Sequence, residues 1–208
     1  MATISEPHAV APPAASTSSW SPANPAPLGL AGFGITTLIL SVMNANLVSF
    51  DKSLVTVLGM AFAYGGLAQL LAGMWEFRAG NTFGAVAFTS YGAFWISFYI
   101  LVQQDAATLA KTGGFNAGVG LYLWAWAIFT GYMFLCSFKS ARAVSVVFLL
   151  LTLTFLFLGI GNSGGSSGTI HIGGWLGLLT AAAALYTSCA EVMFAQYGRW
   201  VLPVGAPS

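Results

Sequence analysis

Asn24-Pro25-Ala26-Pro27-Leu28-Gly29-Leu30-Ala31-Gly32-Phe33 marks the point where a polar N-terminal tail turns into the first long apolar run. Asn24 is suited to N-cap a helix. A proline is tolerated in the first turn, where its missing N–H would have no partner anyway, and Leu28 opens the apolar segment. A helix is therefore expected to start here, at a water interface. Upstream, residues 1–23 are rich in Ala, Ser, Thr and Pro, and six of the eight prolines lie at or before Pro27. Such a segment has too little to bury and is expected to be disordered. It lacks the Lys or Arg of a signal-peptide n-region, and the apolar run after it is too long for an h-region, so the tail is expected to stay attached.

Downstream, composition decides the class. The chain is 57% hydrophobic and only 5% charged, its mean hydropathy is +0.82, and a soluble domain carries roughly 25% charged residues. This composition belongs to an integral membrane protein in a lipid bilayer. The formal charge of +1 comes from six basic residues scattered along the chain, which excludes the clustered Lys and Arg that a nucleic acid requires. Cys136 and Cys189 both fall in apolar segments, where a thiol behaves as a small hydrophobe, so neither a disulfide nor a metal site is expected.

Six apolar segments, at approximately 28–50, 54–75, 83–103, 116–138, 143–161 and 171–196, each approach the ~20 residues needed to cross a hydrocarbon core. The expected fold is all-α and polytopic: a tail at 1–23, a six-helix transmembrane domain at 24–200 and a short tail at 201–208. Charge collects in the connections: Asp51 and Lys52, Glu76 and Arg78, Asp105 and Lys111, Lys139 and Arg142, and Arg199. Asn162 to Thr169 form an uncharged fifth loop. Trp75, Tyr197 and Trp200 lie near one set of helix ends and Trp95, Tyr99, Tyr122, Trp124 and Trp175 toward the other, as interfacial anchors do. Gly59, Ala63, Gly66 and Gly73 in the second segment, and Gly173, Gly177, Ala181 and Ala184 in the sixth, provide small faces for close helix contact within or between subunits.

Several residues could carry chemistry. Asn24, Asn81 and Thr82 stand at helix starts, whose free N–H groups and positive dipole end attract a carboxylate, although every helix has such an end. Glu191 is a carboxylate inside an apolar run and a candidate for a proton-carrying role. It lies near its helix end, so a structural ion pair with Arg78, Arg142 or Arg199 explains it equally well. His171 sits ~30 Å away along the same helix, so the two do not share one site. No HExxH, GxSxG or Walker A motif occurs, and no mid-helix lysine is available to hold a retinal, so neither enzyme chemistry nor a cofactor is expected.

NPAPLGLAGF at Asn24, GNTFGAVAFTSYGAFW at Gly80, IHIGGW at Ile170 and EVMFAQYGRWVLPVG at Glu191, in that order and spacing, resemble the acetate uptake transporter (GPR1/FUN34/YaaH) family over residues 24–205. The resemblance implies a homo-hexamer that moves acetate, and in some members succinate, through a narrow pore in each protomer. It also implies a constriction of Phe33, Tyr91 and Leu151. A ~1.5 Å rise per residue places all three roughly 8–12 Å from the ends of their helices. Phe33 shares a helix face with Thr37, Leu40 and Asn44, and Leu151 shares one with Thr154. Without the resemblance, the default for these residues is packing or a bond to the i−4 carbonyl. Transport by a channel-like path or by proton symport, a passive pore for a small neutral solute such as urea, and a non-transport scaffold are the readings in contention.

The termini and even-numbered loops hold Arg78, Lys139, Arg142 and Arg199, against Lys52 and Lys111 on the opposite side. The positive-inside rule then places both termini in the cytoplasm of a cell membrane. Protease added outside intact cells should leave the N-terminal tail intact; cleavage there would reverse the orientation.

Overall fold

In a bilayer core every backbone N–H and C=O must find its partner within the chain, so apolar segments of this length fold as helices. The computed structural model describes residues 20–105, 111 and 115–205, and among these residues it contains helices and no strands. The first span is α1 (Ala26–Asn44). The second joins α2 (Phe50–Phe62), a π-helical stretch Ala63–Ala68 and α3 (Gln69–Ala79). The remaining spans are α4 (Thr82–Ile100), which runs into a π turn at Leu101–Asp105, α5 (Phe115–Cys136), α6 (Arg142–Gly164) and α7 (Ser167–Tyr197). Six helices are thus long and apolar enough to span a membrane, which makes this a multi-pass membrane protein. Residues 1–19 of the expected N-terminal tail and 206–208 of the C-terminal one lie outside the described residues.

Several boundaries differ from those expected, each for a local reason. Asn24 does not occupy the N-cap position, which Pro25 takes; the Asn24 Oδ1 instead accepts from the Ala26 N–H at 3.0 Å. α1 stops at Asn44 rather than near residue 50, because Asn46 adopts φ 60°, a left-handed conformation that asparagine tolerates. The second span continues to Ala79 and ends at left-handed Gly80, and Asn81 at once caps α4 by accepting from the Gly84 N–H at 3.1 Å. The loop expected at Asn162–Thr169 contracts to Gly165 and Ser166: Gly165 (φ 67°) ends α6, and the Ser166 hydroxyl caps α7. Trp95, expected at an interface, is buried.

α7 packs against both α1 and α6, α6 against α5, α3 against α4, and α1 reaches across to the π stretch and α3. α4 meets α5 through aromatic side chains, which completes the ring. The small face of α7 makes its contacts possible. A side chain at Gly174 would strike the Asn44–Ala45 backbone, one at Gly177 the Ser41 side chain, and one at Gly173 Leu158. Gly66 and Gly73 meet Ile96 and Thr89 of α4 in the same way, whereas nothing lies near Gly59. Residues of the C-terminal segment also fold onto the bundle. Gly205 and Val204 carbonyls accept from the Arg142 and Ala143 N–H groups at 2.8 and 2.9 Å, closing the start of α6.

Replacing Gly174 by Val should destabilise the protein by about 1–3 kcal/mol, the usual cost of overpacking, since the obstructing atoms are backbone. Gly168→Ala, where a Cβ meets nothing, is the control. Thermal unfolding in detergent measures both, and equal midpoints would contradict the close approach of α7 to α1.

Candidate functional site

Of the residues singled out in the sequence, Phe33 and Tyr91 meet directly. Their ring centroids lie 5.6 Å apart, one ring on α1 and the other on α4. Tyr91 also contacts Phe129 of α5 at 5.4 Å and Phe148 of α6 at 6.1 Å. Leu151, one turn beyond Phe148 on α6, is buried in the same apolar cluster. Four spans thus contribute to one plug of rings and aliphatic carbon. The Tyr91 hydroxyl is kept within it by a 2.9 Å hydrogen bond with the Thr130 hydroxyl of α5. A buried phenol without such a partner would be costly, so this pair holds the ring in place.

On the His171 side of the plug lies a cavity of about 480 Å³. Leu40 and Asn44 of α1, Phe94 of α4, Tyr122 of α5, Asn162 of α6 and His171 of α7 are among its lining residues. Its walls are mostly apolar with a few converging amide, phenol and imidazole groups, the usual character of a small-molecule site. Tyr122 and Asn162 are positioned by their own bonds: the Tyr122 hydroxyl donates to the Phe94 carbonyl at 2.9 Å, and the Asn162 amide donates to the Leu158 carbonyl at 2.8 Å. Sequence reading had placed Tyr122 at an interface and Asn162 in a loop. No periodicity distinguishes a ring in the lipid interface from one turned into a cavity.

The face of α1 carrying Phe33, Thr37, Leu40 and Asn44 therefore runs from the plug to the cavity, and the Thr37 hydroxyl on it is buried without a protein partner. Thr154 faces α7 instead: its hydroxyl donates to the Leu150 carbonyl at 2.8 Å and lies 3.2 Å from the Thr180 hydroxyl, joining α6 to α7.

At the opposite end of the bundle, the asparagine side chains at two helix starts bind protein carboxylates. The Asn24 amide donates to Glu191 Oε2 at 2.9 Å, and the Asn81 amide donates to Glu76 Oε2 at 2.8 Å. Thr82 is exposed at the first position of α4. The bond to Asn24 takes the place of the arginine pair considered for Glu191. Arg78 lies instead over the Trp20 ring, 5.1 Å from its centroid, and the Arg142 stem packs on Gly205. Glu76, expected in a connection, is buried within the second span. Its place on one face with Gln69 and Gly73, at i, i+4, i+7 spacing, is the signal that could have found it.

The arrangement is a membrane bundle with an apolar plug, a cavity on one side and paired carboxylates on the other. The model of the GPR1/FUN34/yaaH family matches residues 8–206. The chain belongs to that family. The succinate-acetate/proton symporter SatP of Escherichia coli (strain K12) is 45% identical over 184 residues, covering 88% of this chain and 95% of that protein. Acetate permease A of Emericella nidulans is 42% identical over 196 residues, covering 88% of this chain and 65% of that longer protein. Among solved structures, that of the bacterial acetate channel SatP is similar with a TM-score of 0.79 at 42% identity, and the match covers 89% of this chain and all of that one. These relatives of the GPR1/FUN34/yaaH chain are named as transporters or channels.

Proposed function

We propose that this protein transports acetate and related small carboxylates, succinate among them, across a cell membrane. The substrate path runs through each protomer, between the cavity and the carboxylate end. The observation that carries the reading is the meeting of Phe33, Tyr91 and the Leu151 cluster directly beneath a cavity, in a chain 45% identical to a succinate-acetate/proton symporter. Thr37, Leu40, Asn44 and His171 are the polar and apolar steps leading to the constriction, while Thr154 supports it from behind. Transport without enzymatic turnover fits these names, and the protomers assemble as a homo-hexamer, as the family resemblance implies. The exposed apolar residues Leu121, Ile128 and Leu135 form one face of α5, at i, i+7, i+14 spacing, available to lipid or to another protomer. Mass measurement in native detergent should give six copies; a monomer at every concentration would remove the assembly without touching the fold.

The plug sets the form in which the substrate crosses. Burying an unpaired charge costs far more than burying a neutral polar group, and no Lys or Arg stands at the plug to pair an anion. The neutral acid, or an anion accompanied by a proton, therefore crosses more readily. A small carboxylic acid titrates near ~4, so its neutral fraction rises about tenfold per unit of acidification above that value. In proteoliposomes, labelled acetate uptake above that of protein-free liposomes should rise as the external pH falls. Leu151→Ala should widen the plug and speed larger monocarboxylates such as butyrate by several-fold. Flux that follows membrane potential without proton movement would establish an anion channel instead, and urea crossing as fast as acetate would establish a neutral-solute pore.

A further inference from the structure

Glu76 is 1% exposed, and its Oε1 has no hydrogen-bond partner. A second carboxylate, Glu191 of α7, stands at the same end of the bundle, held by Asn24 as Glu76 is held by Asn81. The other titratable groups on the surrounding elements turn elsewhere or lie on other faces. α1 carries none. On α4, Tyr91 is bonded to Thr130 and Tyr99 packs at a tilt against Phe62, ring centroids 5.2 Å apart, while on α3 itself Arg78 lies over Trp20. Tyr64 sits in the π stretch, more than two turns from Glu76. An ionised carboxylate so placed has no countercharge, and burial without one strongly disfavours charge.

A metal cation does not suit this pair. Both asparagine amides turn their N–H groups to the carboxylates, and both amide oxygens are taken by backbone N–H groups, those of Ala26 and Gly84. The amides thus turn donors, not ligand atoms, toward the carboxylates. A proton needs only one oxygen, and Glu76 Oε1 is free.

Two further buried polar atoms lack partners here, Thr89 Oγ1 of α4 and Gln69 Oε1 of α3, the Gln69 Cβ lying toward Gly32 of α1. Thr89 packs directly on Gly73, midway between Gln69 and Glu76. Gln69 and Glu76 are ~10 Å apart along α3, and Gln69 follows immediately on the π stretch, a helix distortion common at functional sites. None of the three residues lines the cavity.

We infer that Glu76 is a proton-binding site, held by Asn81 and served by Thr89 of α4 and by Gln69 two turns earlier on α3, beside rather than within the substrate path. An O–H bond forms at Glu76 Oε1 when the proton is taken up and breaks when it leaves, with no change of electrons. The inference rests on the proton-coupled reading above, but the site itself is testable without substrate.

The reconstituted full-length protein, with no acetate present, is titrated while the infrared C=O stretch of protonated carboxyl groups is recorded. A titrating carboxyl band is expected. It should be lost in Glu76→Gln, whose amide oxygen still accepts from Asn81, and retained but shifted in Glu191→Gln. A band that survives Glu76→Gln unchanged overturns the assignment. In the same vesicles, the rise in protein-dependent acetate uptake on acidification should flatten at least several-fold in Glu76→Gln, and Thr89→Val should slow it in part. An unchanged pH response in Glu76→Gln overturns the coupling role. A wild-type uptake with no pH response, beside a band that depends on Glu76, overturns the coupling role and the proton-coupled reading it rests on, and leaves the proton site standing.

Discussion

The close approach of the last span to the first is the contact on which the rest of the bundle depends. α7 can lie against α1 because Gly174 presents no side chain to the Asn44–Ala45 backbone and Gly177 none to Ser41. Without water in the hydrocarbon there is little hydrophobic drive between helices, so contact area at small residues is what holds them together. The end of that contact is tied by two polar bonds of long sequence separation, Ser188 to the Pro27 carbonyl at 2.7 Å and Asn24 to Glu191 at 2.9 Å. Once α7 is seated, α6 follows on its other side through Gly173 and the Thr154–Thr180 pair.

The opposite side of the ring is built differently. α4 and α5 face each other across rings: Tyr91 with Trp126 and Phe129, and Phe94 with Tyr122 and Trp126. Large side chains hold backbones apart where small ones bring them together. The bundle therefore combines tight glycine contacts on one side with an aromatic join on the other, and the plug and cavity sit against that join.

Polar chemistry is kept at the ends and along one interface. The two carboxylates Glu76 and Glu191 are each held by an asparagine whose oxygen caps or braces a helix start, so each asparagine does two jobs with one amide. An Asn at a helix start is ordinarily read as a cap and nothing more. Here the donor half of each amide reaches a carboxylate on another helix, five residues away for Asn81 and 167 away for Asn24.

The sequence by itself determined the membrane class and the six spans, and the resemblance to a family singled out Phe33 and Tyr91, whose rings the structure brings together. Hydrophobic runs and low charge are local properties, and the motifs around both residues are contiguous. It also located the helix start near Asn24 and the turn at Gly80-Asn81, because glycine and asparagine act on their own backbone. What only the tertiary structure decided was direction. That Tyr122 lines a cavity, that Trp95 is buried, that Thr154 faces α7, and that Glu76 is enclosed beside Asn81 all depend on which face each helix turns to which neighbour. In a span that is apolar all round, periodicity carries almost no information about that choice. Rotation of such helices is set by glycine contacts and paired polar atoms, which become visible only once the helices are packed.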